Sequence, residues 1–131
     1  MQNSQKLIDY WFKTAQHDYD TMLILFSSHR YSDTLFYGHL VLEKILKALV
    51  AKNTNEHPKP THNLLVLLED SGVQLSLEER EFLTEANKFN IKARYPDYKL
   101  SFYKICNLAY TRQRLEKIKL IFNKLCQLLK V

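Results

Sequence analysis

Glycine and proline are nearly missing from this chain, at 2 and 3 residues in 131. Both residues punctuate turns and hairpins. Their scarcity argues against a many-stranded sheet and for long helices with few connections. Cysteine occurs twice, as Cys106 and Cys126. Neither sits in a metal-ligand spacing, and there is no Cys-x-x-Cys or His-x-x-x-His pair, so no metal site is expected. Placed on one helix, the two thiols stand roughly 30 Å apart, too far for a disulfide. They are expected to be buried and unreactive. No Gly-rich phosphate loop is present, and no strand–turn–helix elbow of a Ser-His-Asp hydrolase. No apolar run approaches the length of a membrane span. The opening residues MQNSQKLIDYWF lack a basic start, an uninterrupted apolar stretch and a small-residue cleavage site. No secretory signal is therefore expected, and the expected compartment is the cytoplasm.

What remains describes one helical domain over residues 1–131, long enough for a real core. Apolar residues make up 46% and charged residues 25%, the balance of an ordinary globular chain. The net charge of +5 is unevenly spread. Residues 1–87 hold 8 Lys and Arg against 12 Asp and Glu, whereas residues 88–131 hold 11 against 2. Such asymmetry suits an acidic partner or self-association of unlike faces.

The stretch YSDTLFYGHLVLEKILKALVAK, residues 31–52, organises the rest. Leu35, Leu42, Leu46 and Leu49 recur at helical steps along an apolar stripe. His39, Glu43 and Lys47 follow at i, i+4 and i+8 and share a face beside it, with Lys44 adjacent. A first helix is expected over about Ser4–Ser27, with Leu7, Trp11, Ala15, Met22 and Leu25 inward. Asp18 falls on the same apolar face. An isolated buried charge is prohibitively costly, so Asp18 should pair with a Lys or Arg of another helix or lie in water at the stripe's edge.

After a polar loop holding Pro58 and Pro60, Thr61 reads as the N-cap of a short helix, His62–Ser71, closed by Gly72. Leu64, Leu65, Leu67 and Leu68 bury one side of it. Ser76 and Glu79 form a capping box and start a fourth helix, with Leu77, Phe82, Ala86 and Phe89 inward. Pro96 disfavours helical geometry at Tyr95, so Ala93-Arg94-Tyr95-Pro96-Asp97 reads as an extended corner. A last helix is expected from about Ser101 to Leu129. Its inward stripe is Phe102, Ile105, Ala109, Arg112, Leu115, Ile118, Phe122, Leu125 and Leu129. Lys104, Arg114, Lys117, Lys124 and Lys130 are expected on its solvated face. The whole is an all-α, antiparallel up-and-down bundle of about five helices.

In order and spacing these pieces resemble the HEPN domain family over nearly the whole chain. The resemblance is carried by Trp11, Ala15 and Asp18 on the first helix and by Glu43-Lys44 with Lys47-Ala48 on the second. Thr61-His62-Asn63-Leu64 and the Ala93-Arg94-Tyr95-Pro96-Asp97 corner complete it. It implies a helical bundle, like the substrate-binding subunits of nucleotidyltransferases, that commonly dimerises. It also implies a small nucleotidyltransferase as partner, in some cases as a toxin–antitoxin-like pair, and nucleotide binding. Many HEPN proteins are metal-independent ribonucleases with an arginine followed four to six residues later by a histidine. The only arginine before His62 is Arg30, with eight residues between it and His39, so this chain departs from that pattern.

Lys47, His62, Arg94 and Tyr95 are the candidate ligand-binding set, gathered around an anion such as a nucleotide phosphate. Arginine offers a planar fork to phosphate oxygens and lysine a point charge. His62 would lie near the unpaired N–H groups of a helix start, and Tyr95 could stack on a base. Asp18, His39, Glu43, Lys44 and Arg112 are candidate supports. In a purely structural alternative, Glu43 and Asp18 pair with Lys47, Arg94 or Arg112 to close the bundle, and His62 satisfies a backbone carbonyl. No catalytic residue and no cofactor is expected. The leading function is a non-catalytic binding module for a nucleotide, a nucleotidyltransferase partner, or both. A ribonuclease toxin acting through Arg94 and His62 is the first alternative. A ligand-free interaction bundle is the second. RNA is a less favoured ligand, and no membrane association is expected.

Overall fold

The computed structural model describes residues 4–130. Residues 1–3, which begin the stretch expected to lack an export signal, lie outside the described residues. Six helices follow in order: α1 (Ser4–Ser27), α2 (Tyr31–Thr54), α3 (Leu64–Ser71), α4 (Leu77–Arg94), α5 (Pro96–Ile105) and α6 (Leu108–Lys130). The described residues contain no strand, and no helix among them is long and apolar enough to cross a membrane.

Helix α2 is the axis of the bundle, packing against α1, α3, α4, α5 and α6. Leu35, Leu42, Leu46 and Leu49 are all buried there, as their spacing requires. Asp33, Tyr37, Leu40 and Lys44 leave one narrow strip of α2 partly open, and the rest of its surface is covered by the other helices. His39, Glu43 and Lys47 are accordingly buried along with the leucines. Gly38 marks a close crossing: a Cβ at this position would clash with Ile118 Cδ1 on α6 and stand 3.6 Å from Met22 Sδ on α1.

The helix ends follow local chemistry. Asn63, not Thr61, caps α3, its side chain accepting from the N–H groups of Leu65 and Val66. Helix α3 therefore starts at Leu64, and His62 lies on the preceding loop. Gly72 closes α3 in the left-handed region at φ 72°. The capping box of Ser76 and Glu79 is present at the start of α4. Leu77, expected inward, is 64% exposed, because it precedes the first inward turn of α4.

Two further expectations are corrected. The corner before Pro96 shrinks to a single extended residue, Tyr95, with φ −88° and ψ 133°. Pro96 then opens α5, where its missing N–H costs nothing at the first helical position. The last helix is also two helices, because Asn107 caps α6 by accepting from the N–H of Tyr110 at 2.8 Å. That break resets the phase. Thr111 takes the buried position expected for Arg112, which lies exposed with its guanidinium 6.0 Å from the Phe26 ring centre. Ala109, in the first turn of α6, is exposed for the same reason, and Ile105, at the end of α5, is exposed as well. Cys106 caps the end of α5 and does not share a helix with Cys126. Both are free, buried thiols, and burial raises them to about 12 and about 11.

The basic residues of α6 are less free than a solvated face suggests. Arg114 meets Glu85 of α4 at 2.6 Å and lies over the Tyr110 ring, and Lys124 meets Glu79 at 3.0 Å.

The crossing at Gly38 gives a stability test. Gly38→Ala gains about 1 kcal/mol of helix propensity but overpacks Ile118 at a cost of about 1–3 kcal/mol. Urea unfolding should show a net loss. Adding Ile118→Val, which removes the clashing Cδ1, should recover part of it, although Ile118→Val alone destabilises.

Candidate functional site

A carboxylate on α2 holds the polar centre together. Glu43 is nearly fully buried. Its Oε2 accepts from Lys47 Nζ at 2.9 Å, one turn along the same helix. Its Oε1 accepts from His62 Nδ1 at 3.0 Å, across the loop before α3. Lys47 Nζ also lies 4.9 Å from the centre of the Trp11 ring of α1, so this ammonium sits between a carboxylate and an aromatic face.

His39, one turn earlier, is fully buried, and its Nε2 is 2.8 Å from the backbone carbonyl oxygen of His62. A carbonyl only accepts, so Nε2 carries the proton and donates it. Nδ1 of His39 then holds a lone pair, 3.8 Å from Glu43 Oε1 and without a hydrogen-bond partner. Burial holds the His39 imidazole below its ordinary value of 6.5, partly offset by the bond to the His62 carbonyl and by the charge of Glu43. The neutral ring is therefore the stable form. Helix α2 thus grips residue 62 twice, by its backbone through His39 and by its side chain through Glu43.

His62, whose side chain is 63% exposed, lines a cavity of about 360 Å³. Thr61, His62 and Asn63 form one wall of it; Asn87, Asn90, Ile91, Arg94 and Tyr95 form the other. The walls are tied together: Asn87 Oδ1 accepts from the Leu64 N–H at 2.8 Å, and its Nδ2 donates to Asn63 Oδ1 at 3.1 Å. Arg94 Nη1 donates to Asn90 Oδ1 at 3.1 Å, which leaves most of the guanidinium fork available. Tyr95 presents a half-exposed ring at the rim. The lining contains a guanidinium and no carboxylate. A second hollow of about 490 Å³, between the α1–α2 turn and α5, mixes Asp33 with Arg30 and Lys99 and includes none of the residues singled out in the sequence as ligand-binding or supporting.

Of the four candidate ligand residues, His62, Arg94 and Tyr95 line one cavity, whereas Lys47 is not among the lining residues. Asp18 pairs with Lys44 of α2 at 2.6 Å, the inter-helix partner that its position demanded. Asn87, Asn90 and Ile91 were not anticipated as lining. The signal was present: with Arg94 they fall at i, i+3, i+4 and i+7, one face of α4, but that helix was read only for its apolar side. Among the described residues no group of three or more His, Cys, Asp and Glu could hold a metal ion.

The model of the HEPN domain family matches residues 8–131. The chain belongs to the HEPN domain family. The crystal structure of TT1696 from Thermus thermophilus is similar to this HEPN chain, with a TM-score of 0.77 at 19% identity, covering 97% of this chain and 98% of that one. At that identity the likeness shows the fold alone. No curated protein matches the chain.

Two outcomes test this arrangement. As pH falls through the imidazole range, the unfolded chain takes up a proton on His39 that the folded chain refuses. Stability present above about pH 6.5 is therefore lost on acidification, by up to about 1.4 kcal/mol per pH unit for this group. Urea unfolding at pH 7.5 and 5.5 should show the loss, and His39→Gln should reduce it. Lys47→Met strands a buried carboxylate and should cost about 3–5 kcal/mol, while Arg94→Ala should stay within about 0.5 kcal/mol of wild type.

Proposed function

We propose that this HEPN domain is a non-catalytic binding module whose cavity beside His62 takes the phosphate and base of a nucleotide. The observation that carries the reading is the joint presence of the Arg94 fork, the Tyr95 ring and the His62 edge on one cavity without a carboxylate. A phosphate would bond the free N–H groups of Arg94, and a base would stack on Tyr95. The volume falls in the range of small-molecule sites.

The protein also dimerises and partners a small nucleotidyltransferase in this reading, as in a toxin–antitoxin-like pair. Two features support an interface of some kind. Tyr98, Leu100, Tyr103 and Ile105 stand exposed on α5, a short helix that buries only Phe102. Residues 88–131 carry a large excess of positive charge, which favours an acidic partner.

A second reading, metal-independent RNA cleavage, draws support from the Glu43–His62 pair. A carboxylate that orients an imidazole with its other nitrogen free is the arrangement of a general base.

Calorimetric titration with ATP and GTP tests the first reading. Binding heat should appear, and Arg94→Ala should weaken it ten- to a hundredfold, about 1.5–3 kcal/mol for charge-assisted hydrogen bonds, with an unchanged melting temperature. Absence of heat with either nucleotide would overturn it. RNA cleavage abolished by His62→Ala would establish the second. Light scattering should give twice the monomer mass; a monomer across a wide concentration range would remove the dimer.

A further inference from the structure

We infer that His62 is the sugar-reading residue of this cavity, accepting a hydrogen bond from a ribose hydroxyl, so that the site prefers ribonucleotides over nucleotides stripped of their hydroxyls. The inference rests on the nucleotide reading above and adds the ligand's chemical class to it. It follows from where the protons must be. Lys47 Nζ lies 2.9 Å from Glu43 Oε2 in an ion pair, and a carboxylate can only accept. The 3.0 Å contact between Glu43 Oε1 and His62 Nδ1 therefore has the proton on Nδ1. In the neutral ring Nε2 then holds a lone pair. The ring cannot turn over to present a donor without breaking the bond to Glu43, and the His39 bond to the His62 carbonyl fixes the backbone that carries it. The His62 side chain is 63% exposed and lines the cavity, so its free edge is accessible.

A lone pair fixed in this way repels a phosphate oxygen and attracts an O–H donor. Arg94, on the opposite wall, has the reverse preference, since a guanidinium only donates. The two walls thus sort the two polar ends of one ligand: phosphate to Arg94, sugar to His62. Nothing else is required of Glu43, Lys47 and His39 than to hold this polarity. They are positioning residues.

The test is titration calorimetry at pH 8, above the ordinary imidazole range, with ATP, 2′-deoxy-ATP, 3′-deoxy-ATP and 2′,3′-dideoxy-ATP. ATP should bind at least tenfold more tightly than the dideoxy nucleotide, and the two monodeoxy compounds identify which hydroxyl is read. His62→Ala should bring ATP to the dideoxy level and abolish the ratio. Arg94→Ala should weaken all four and leave the ratio intact, an outcome that general damage to the site would not produce. Equal affinity for ATP and dideoxy-ATP in the wild-type protein, or a ratio that survives His62→Ala, would overturn the sugar assignment while leaving the nucleotide site standing. Failure of every nucleotide to bind would overturn both. The comparison of analogues on the wild-type protein needs no variant, so a poorly folding His62→Ala would not shelter the inference.

Discussion

A carboxylate removed from water must find donors for both of its oxygens, and Glu43 finds one on its own helix and one on the next loop. Lys47 supplies the charge and His62 the second hydrogen bond. Neither partner is optional, because the desolvation of a buried charge is regained only when geometry and hydrogen bonding are complete. From this follow the burial of Lys47 against Trp11, the docking of the loop before α3, and the orientation of the imidazole at the cavity mouth. Ion pairs of this kind contribute little net stability against a hydrophobic replacement. What the pair does here is position: it ties the loop to one register on α2.

His39 adds a second tie whose chemistry differs. Its bond runs to a backbone carbonyl and involves no charge, and burial keeps the ring neutral. The loop is thus held once by an ionised group and once by a neutral one. The purely structural alternative drawn from the sequence was half realised. A histidine does satisfy a backbone carbonyl, but it is His39 that does so, and the carbonyl belongs to His62. Glu43 and Asp18 do pair with lysines, Lys47 and Lys44, and not with Arg94 or Arg112. Arg94 is left to the cavity wall.

Much of the fold was legible because leucine spacing and capping chemistry act locally. The bounds of α1, the Gly72 stop and the Ser76–Glu79 box each depend on a few neighbouring residues. The break at Asn107 was not read, since Phe102, Ile105 and Ala109 continue a helical spacing through it and only the asparagine side chain marks the restart. That one slip carried Arg112 inward, where the structure buries Thr111 and leaves Arg112 exposed. The site divides in the same way. His39, Glu43 and Lys47 share a face by arithmetic, but whether Lys47 reaches the cavity depends on which side of Glu43 it stands. That is decided by Trp11, a residue from another helix.

The junction between α4 and α5 consists of Tyr95 alone. Arg94 and Tyr95 border the cavity on one side of this joint, while Tyr98, Leu100 and Tyr103 stand in solvent on the other. With one residue between two stiff rods, the direction in which α5 leaves α4 is set by the backbone dihedrals of Tyr95, the same residue whose side chain stands at the cavity's rim.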